Sequence, residues 1–289
     1  MTRAHHHYLQ VIANFKWKAK KRFRALFRRN PSYLAAGLLE AWELASAKTK
    51  RSDWPLVCSV IDRNDMMYEG HATVYFSSGY SALFCLRQAL EKAGKTSIDS
   101  ILDFGCGHGR VLRSLAAQFP NATLTAVDVN RRGVDFCAKK FGAKRIYSNT
   151  VFSNVVFREK FDLIWVGSLF THLSAERWLI VLRLLRSVLT EDGLLIFTTH
   201  GNDAERRLRD RQVLLFNLEP ARIETILEGY DHLGFGYTDY RKYRGYGVSL
   251  SSPQWVTEQL NHVGLELVLH QENAWDNFQD VWAVRLKNK

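Results

Sequence analysis

Apolar and polar positions along this chain follow two alternating periods. Compact apolar runs typical of buried strands lead into Asp103 and occupy residues 123–127, 144–147, 161–166, 194–199, 265–270 and 280–286. Segments with apolar residues at helical spacing separate them, at residues 81–93, 111–119, 133–141, 175–189 and 253–262. This alternation predicts a parallel α/β sheet with helices on both faces, closed by an antiparallel hairpin of the last two strands.

A glycine-rich loop follows the first predicted strand. Gly105, Gly107 and Gly109 alternate after Asp103, and a predicted helix begins directly behind them. Alternating glycines let the backbone turn tightly and approach a ligand without Cβ atoms in the way. The second predicted strand ends in Asp128, whose carboxylate can accept hydrogen bonds from both ribose hydroxyls of a nucleoside. The two features together predict a nucleoside cofactor on a doubly wound sheet.

The residue after Gly109 decides between two classes of cofactor. The dinucleotide fingerprint G-x-G-x-x-G would place its third glycine at Arg110, whereas the spacing here is D-x-G-x-G-x-G. This spacing, with Asp128 at the second acidic position, resembles motif I of the class I S-adenosylmethionine-dependent methyltransferases. The resemblance implies a Rossmann-like, seven-stranded class I methyltransferase sheet and S-adenosylmethionine as the cofactor.

The resemblance also implies which residues bind that cofactor. The loop surrounds the methionine and ribose, Asp128 binds the ribose hydroxyls, and Val129 lies beside the adenine. Asn149 departs from the acidic and apolar pair that many relatives carry after the third strand, so Asn154 and Val155 are alternatives for the adenine contact. The predicted cofactor-binding residues are Asp103, Gly105, Cys106, Gly107, Gly109, Asp128, Val129, Asn149 and Ser168.

Two histidines are candidates for the chemistry. His172 follows the fourth predicted strand, where class I methyltransferases keep their motif IV, and His200 ends the neighbouring fifth strand. A neutral histidine suits removal of a proton from a hydroxyl acceptor near pH 7. Either residue is therefore a candidate catalytic base. The alternative for each is a structural role, bonded to the backbone and shaping the pocket.

The sequence around His172 excludes some acceptors. It reads Gly-Ser-Leu-Phe where enzymes that methylate exocyclic amines of nucleic-acid bases carry a Pro-Pro-aromatic motif. No Pro-Cys dipeptide occurs, which argues against a cysteine nucleophile acting on cytosine C5. No acidic cluster with metal-ligand spacing is evident, so no metal is predicted.

Residues 200–247 form the least regular region. A charged helix is predicted over residues 204–213 and another near residues 220–228, before Tyr240, Tyr243 and Tyr246 appear among glycines. An insertion after the fifth strand lies at the carboxyl edge of the sheet, where ligands bind in open α/β folds. We interpret it as a substrate cap, with an exposed loop as the alternative.

Positive charge is concentrated towards the N-terminus. The net charge is +11, and residues 1–97 carry 16 Lys and Arg against 7 Asp and Glu. Residues 15–29 interleave basic and aromatic side chains and predict a basic amphipathic helix. Such a helix suits peripheral contact with an anionic membrane or docking on the main domain, with nucleic acid the least favoured partner. We divide the chain into a basic helical extension, residues 1–55, and a methyltransferase domain, residues 56–289.

Composition favours a cytoplasmic enzyme. The four cysteines lack metal-ligand spacing, and no run approaches the roughly 20 uncharged residues that span a bilayer. The first 30 residues lack the apolar core of a secretory signal. We therefore expect a cytoplasmic location, with a peripheral position on the inner membrane face if the basic segment binds lipid.

Four short sequence segments indicate a narrower group within this family. SLFTHL, FTTHG, YGVSLSSPQWV and DVWAVRL are similar to bacterial methyltransferases of polysaccharide or secondary-metabolite gene clusters. The resemblance implies methyl transfer to a hydroxyl of a sugar, glycan precursor or related small molecule. The alternatives are an RNA methyltransferase that uses the basic segment, and a non-catalytic module that only binds the cofactor. The sequence predicts no oligomeric state.

Overall fold

A single central sheet organises the molecule. The computed structural model describes residues 29–210, 218–241 and 243–287. Its strands are β1 (Ser100–Phe104), β2 (Thr123–Asp128), β3 (Lys144–Tyr147), β4 (Phe161–Val166), β5 (Leu189–Thr199), β6 (Phe235–Asp239), β7 (Gly247–Ser251), β8 (Leu265–Trp275) and β9 (Gln279–Leu286). Seven of them form the sheet β3-β2-β1-β4-β5-β9-β8, while β6 and β7 pair separately.

Eight α-helices surround the strands in the described residues. They are α1 (Pro31–Thr49), α2 (Ala72–Ala93), α3 (Leu112–Gln118), α4 (Arg131–Phe141), α5 (Ala175–Ser187), α6 (Asn202–Arg209), α7 (Pro220–Leu233) and α8 (Pro253–His262). Two 3₁₀ turns, Phe152–Asn154 and Phe170–His172, follow β3 and β4.

Strand direction places the ligand-binding edge. Strands β1 to β5 are parallel, and β9 runs antiparallel between β5 and β8. Strand order reverses at β1, with β2 on one side and β4 on the other. A crevice forms at the carboxyl ends of the strands at such a switch point. The predicted seven-stranded class I methyltransferase sheet, with helices on both faces and a closing antiparallel hairpin, is confirmed.

Both faces of the sheet are buried. One face packs under α1, α2 and α3 through side chains such as Leu83, Leu86 and Leu112, which are fully buried. The other packs under α5 and α8, where Trp178, Phe197 and Trp282 fill the core. Parallel strands covered on both sides read as continuous apolar runs, which is why the sequence located them.

Two predicted boundaries are wrong. Helix α2 begins at Ala72 rather than residue 81, because Ser77-Ser78-Gly79 does not break it. A Cβ at Gly79 would lie 2.4 Å from Ser114 Oγ, so glycine serves close helix packing there. Strand β5 begins at Leu189 rather than residue 194, and its register against β4 shifts between Phe161 and Leu163.

The cap region is more regular than predicted. Residues 200–247 hold α6, α7 and the β6 strand instead of an irregular aromatic loop, and β7 follows at Gly247. A Cβ at Gly236 would lie 1.8 Å from the Ile226 carbonyl oxygen, so this glycine lets β6 approach α7. The sequence did not predict β6, because a glycine inside a strand normally weakens it. Buried Ile226, Val248 and Leu250 give the cap its own small core.

The described part of the N-terminal extension packs on the main core. Leu34, Leu38 and Ala41 of α1 are buried in the α2 side of the core, and Trp42 Nε1 donates to the Trp54 carbonyl at 2.7 Å. Residues 15–28 of the predicted basic helix lie outside the described residues. None of the described helices is long and apolar enough to cross a membrane.

Gly133 is a direct test of how closely α4 packs on the glycine-rich loop. A Cβ there would lie 2.1 Å from the Gly107 carbonyl oxygen. Because overpacking forces backbone shifts, we expect Gly133→Ala to lower the free energy of unfolding by about 2 kcal/mol. Denaturant titration measures it, with the exposed neighbour Arg132→Ala as control. Equal stability of the two variants would contradict the packing described here.

Candidate active site

The glycine-rich loop is tied to the end of β2. The amides of Gly105 and Cys106 donate to the Val127 carbonyl at 2.8 and 3.1 Å. Gly105 and Gly107 have φ values of 92° and 52°, in the left-handed region that favours glycine. The loop therefore leaves β1 in a fixed conformation beside Asp128.

The three glycines do two different jobs. A Cβ at Gly107 would meet no described atom within 4 Å, and one at Gly105 would only reach Leu169 Cβ at 4.0 Å. At Gly109 it would lie 2.6 Å from the Phe141 ring. Gly105 and Gly107 thus leave room for a ligand, whereas Gly109 lets α4 pack against the loop. Gly109 thus has a packing role, and its contact with a cofactor stays a prediction.

Cys106 faces away from the ligand space. Its side chain is 6% exposed and lies 3.5 Å from the Gly107 carbonyl oxygen. Burial and the neighbouring Cys137 thiol raise the pKa of Cys106, so it stays a thiol. Only the backbone of Cys106 is left to contact a cofactor.

Asp128 is shaped to bind a ribose. One carboxylate oxygen accepts from Gly107 N and the other from Asn130 N, each at 2.7 Å. A carboxylate oxygen has two lone pairs, so each oxygen keeps one for a further donor. Two neighbouring acceptors held by the backbone match the two hydroxyls of a ribose.

Asp103 lies buried beneath the loop. Its side chain is 2% exposed, and Oδ2 has no hydrogen-bond partner among the described residues. Burial and the negative charge of Asp128 raise the pKa of Asp103 to about 8. An ammonium group of a bound cofactor would supply the counter-charge that this carboxyl lacks.

Exposed apolar residues lie where the sequence predicts the adenine. Val129, predicted beside the adenine, is 56% exposed, and Val151 is 52% exposed. Asn149 is exposed and accepts from Val151 N at 2.7 Å, so it orders this loop. Of the two alternatives, Asn154 is exposed and Val155 is buried in the core, which removes the Val155 side chain from the adenine contact.

Ser168 marks the end of β4. It adopts a φ of 57°, and its amide donates to Thr198 Oγ1 at 2.8 Å. Gln279 bridges both, accepting from Thr198 Oγ1 at 2.6 Å and donating to Ser168 Oγ at 2.9 Å. The strained backbone is held by this network, in which Gln279 was not predicted because it comes from the start of the distant strand β9.

His172 lies where β4 meets the cap. Its Nδ1 is 2.7 Å from the Gly247 carbonyl and 3.2 Å from the Tyr240 hydroxyl. A carbonyl only accepts, so Nδ1 carries the proton and Nε2 is the basic nitrogen. Burial lowers the pKa of His172, which keeps the ring neutral at pH 7.

His200 is placed differently. It is 1% exposed, its Nδ1 lies 3.1 Å from the Ser249 carbonyl, and its ring is 6.5 Å from that of His172. Burial and the neighbouring His172 lower its pKa to about 3. A ring so enclosed supports its neighbours, and this burial disfavours the candidate role of His200 as a catalytic base.

Two tyrosines of the cap, Tyr240 and Tyr246, contact His172, and Tyr243 contacts Tyr246. We call Tyr240, Tyr243 and Tyr246 the tyrosine cluster. The ring of Tyr246 is 4.9 Å from His172 and 5.7 Å from Tyr240, and it is 40% exposed. Burial raises its pKa to about 12, with a smaller contribution from Asp128. The cap thus brings an aromatic surface over His172 and close to the Asp128 carboxylate.

Tyr75 and Tyr80 are buried in the fold. The Tyr75 hydroxyl donates to Asp65 at 2.5 Å, and the Tyr80 hydroxyl donates to the Pro55 carbonyl at 3.0 Å. Arg113, 1% exposed, donates to the Gly109 carbonyl at 3.1 Å and the Cys58 carbonyl at 2.7 Å. Its sequence context looks like an ordinary helix surface, so its bridging role was missed.

The described residues lack the arrangement that a metal site needs. No group of three or more His, Cys, Asp or Glu side chains in the described residues is arranged to hold a metal ion. The four cysteines are free thiols.

Comparison with known proteins matches this geometry. Residues 102–195, from β1 into β5, match the methyltransferase domain family. A curated relative, malonyl-(acyl-carrier protein) O-methyltransferase of Halalkalibacterium halodurans, is 28% identical over 63% of this chain and 61% of its own length. The Bacillus cereus protein of the same name is 28% identical over 49% of this chain and 51% of its own length. The chain therefore spans less than two thirds of these relatives.

Solved structures share the fold. An S-adenosylmethionine-dependent methyltransferase from Clostridium acetobutylicum is 19% identical, with a TM-score of 0.50 over 73% of this chain and 92% of that one. The DhpI–SAH complex is 14% identical, with a TM-score of 0.50 over 88% of this chain and 99% of that one.

The sheet order, the glycine-rich loop and the backbone-held Asp128 carboxylate form a crevice at the switch point of an α/β sheet. With the methyltransferase domain matched over residues 102–195, the chain has the class I S-adenosylmethionine-dependent methyltransferase fold.

Asp103 makes stability depend on pH. Its pKa of about 8 lies above the ordinary value of 3.8, so between those values the folded state keeps a proton that the unfolded chain has released. Stability therefore falls as pH rises. Between about pH 5.5 and about pH 7.5 we expect wild type to lose on the order of 2 kcal/mol more unfolding free energy than Asp103→Asn does.

Denaturant titrations at both pH values measure this difference, with Asp99→Asn at an exposed site as control. If Asp103→Asn kept the same pH dependence as wild type, the buried carboxyl would be ionised and the assignment would be wrong.

Proposed function

We propose that this protein transfers a methyl group from S-adenosylmethionine to an oxygen atom of a small acceptor held under the cap. The proposal rests chiefly on one observation, the neutral His172 bonded to the Gly247 carbonyl beside the tyrosine cluster. S-adenosylmethionine supplies an electrophilic methyl carbon, so the protein contributes alignment and removal of the acceptor proton.

His172 acts as the base in this proposal. The Gly247 carbonyl holds the proton on Nδ1, so Nε2 accepts the proton of the acceptor hydroxyl. The bond to the same carbonyl then stabilises the imidazolium that forms, since it strengthens when the ring is charged. His200 is a positioning residue that keeps β5 packed on β7.

The tyrosine cluster favours a saccharide as acceptor. Tyr246 is 40% exposed and Tyr243 is 61% exposed, so both present aromatic faces with hydroxyl groups at their rims. Such side chains combine an apolar body with a polar tip. They suit a sugar, glycan precursor or related small molecule, as the sequence predicts.

A carboxylate acceptor is the second candidate. The curated relatives are named for O-methylation of a malonyl group on an acyl-carrier protein. A carboxylate oxygen is ionised at pH 7 and needs no base, so His172 would then only orient it. Loss of activity in a His172 variant distinguishes the two acceptors.

The remaining predictions concern surroundings. We also propose a cytoplasmic location, with peripheral membrane contact through residues 15–29, on the charge pattern alone. Most of that segment lies outside the described residues. An RNA acceptor and a non-catalytic, cofactor-binding role remain the alternatives to a saccharide methyltransferase.

Substitution of His172 tests the base. A general base contributes on the order of a hundredfold or more, so we expect His172→Gln to lower kcat about a hundredfold. Binding of S-adenosylhomocysteine should stay within about twofold, because His172 bonds the cap and not the cofactor loop. Transfer of labelled methyl groups to nucleotide sugars, glycolipids and malonyl thioesters measures the rate, with exposed His262→Gln as control.

The pH profile adds a second readout. Because burial lowers the pKa of His172 below 6.5, the ring stays neutral and activity persists below that pH. Unchanged turnover in His172→Gln, or activity that falls already above pH 6.5, would return His172 to a structural role.

A further inference from the structure

We propose that Arg177 binds an anionic group of the acceptor, a carboxylate or a phosphate. This inference deepens the proposed function, because it concerns the same cleft and names a chemical class for its acceptor. Three observations support it: the position of Arg177 in the cleft, the absence of an ion-pair partner for Arg177 among the described residues, and the charge of the neighbouring groups.

Arg177 belongs to the wall of the cleft. It lies in the first turn of α5, five residues after His172. A Cβ at Gly245 would lie 2.7 Å from Arg177 Cζ and 2.8 Å from its Nε, so the guanidinium lies flat against this glycine. Gly245 has a φ of 71° and precedes Tyr246, whose ring is 4.9 Å from His172. The guanidinium thus lies beside the tyrosine cluster.

Arg177 has no counter-charge among the described residues. Its side chain makes no hydrogen bond or ion pair with them; it lies against Gly245, and its Cζ is 6.0 Å from the centre of the Phe152 ring. Its positive charge also acts on the nearby Tyr237 hydroxyl. The nearby Asp239 carboxylate is bound by the Tyr237 hydroxyl at 2.5 Å and by Gly245 N at 2.8 Å, with no ion pair to Arg177.

Other arginines of the same region are paired. Arg222 donates to the Asp239 carbonyl, Arg207 pairs with Asp203, and Arg241 pairs with Glu219. Arg177 is half-buried, so its charge has lost part of its water without gaining an anion. A partly desolvated cation of this kind gains most from an anionic ligand.

The surrounding charge favours the same ligand. The first turn of α5 points its amide groups towards the carboxyl edge of the sheet, and a helix N-terminus attracts negative charge. Arg244, at the exposed turn between β6 and β7, adds a second positive charge near the cluster. Glu176 is exposed beside Arg177 and is the acidic residue of this turn.

The planar guanidinium of Arg177 determines which chemical groups it binds most strongly. Its fork of N–H donors matches the two oxygens of a carboxylate or phosphate, and it gives a neutral sugar no comparable bond. A uronic acid or acyl carboxylate would supply the first anion, and a nucleotide sugar or lipid-linked saccharide the second.

Calorimetric titration of the full chain, loaded with S-adenosylhomocysteine, tests the proposal. The probes are UDP-glucose for phosphate, glucuronate for carboxylate and methyl glucoside as the neutral sugar. We expect one anionic probe to bind at least about tenfold more tightly than methyl glucoside, and Arg177→Gln to remove that preference. Arg177→Lys keeps the charge without the fork and should retain part of it. Arg183→Gln, exposed on the same helix, is the matched control.

Several results of this titration would overturn the anion site. Equal binding of all three probes, or an unchanged anion preference in Arg177→Gln, overturns the anion site. Affinity for S-adenosylhomocysteine verifies that each variant is folded. An Arg177→Gln protein that still methylates an anionic saccharide at the wild-type rate would refute the anion site while leaving the proposed methyl transfer intact.

Discussion

The hydrogen bond from Gly107 N to the Asp128 carboxylate connects the two halves of the cofactor site. It joins the glycine-rich loop after β1 to the end of β2 at 2.7 Å, and the Val127 carbonyl binds the same loop through Gly105 and Cys106. These bonds fix the loop, and its glycines adopt left-handed conformations without steric cost. Asp128 is in turn oriented by the loop, with a lone pair of each oxygen left for a ribose.

Much of this half of the molecule could be predicted from the sequence, because local patterns encode it. Buried parallel strands are apolar runs, and the D-x-G-x-G-x-G spacing fixes where the loop turns. The pattern does not show which glycines face the ligand space and which one packs against a helix. Gly109 looks like Gly105 in the sequence, yet it faces Phe141 and not the ligand space.

The acceptor half was harder, because long-range contacts build it. His172 and His200 occupy equivalent positions after neighbouring strands, but β7 encloses only His200 completely. Gly236 and Gly247 are of a residue type typical of loops. In the structure Gly236 lets β6 approach α7, and Gly247 lets β7 pair with β6. Arg177 is an unremarkable helix residue until the cap turn places Gly245 against it. None of these relations has a local signature.

The central claim is that Asp128 and the glycine-rich loop bind S-adenosylmethionine, and calorimetric titration tests it most directly. The ligands are S-adenosylmethionine, S-adenosylhomocysteine and NAD, with Asp128→Ala compared against exposed Asp135→Ala. We expect the first two to bind wild type and the control, to lose at least about tenfold in affinity in Asp128→Ala, and NAD not to bind. Tight NAD binding without a response to S-adenosylmethionine would contradict the account.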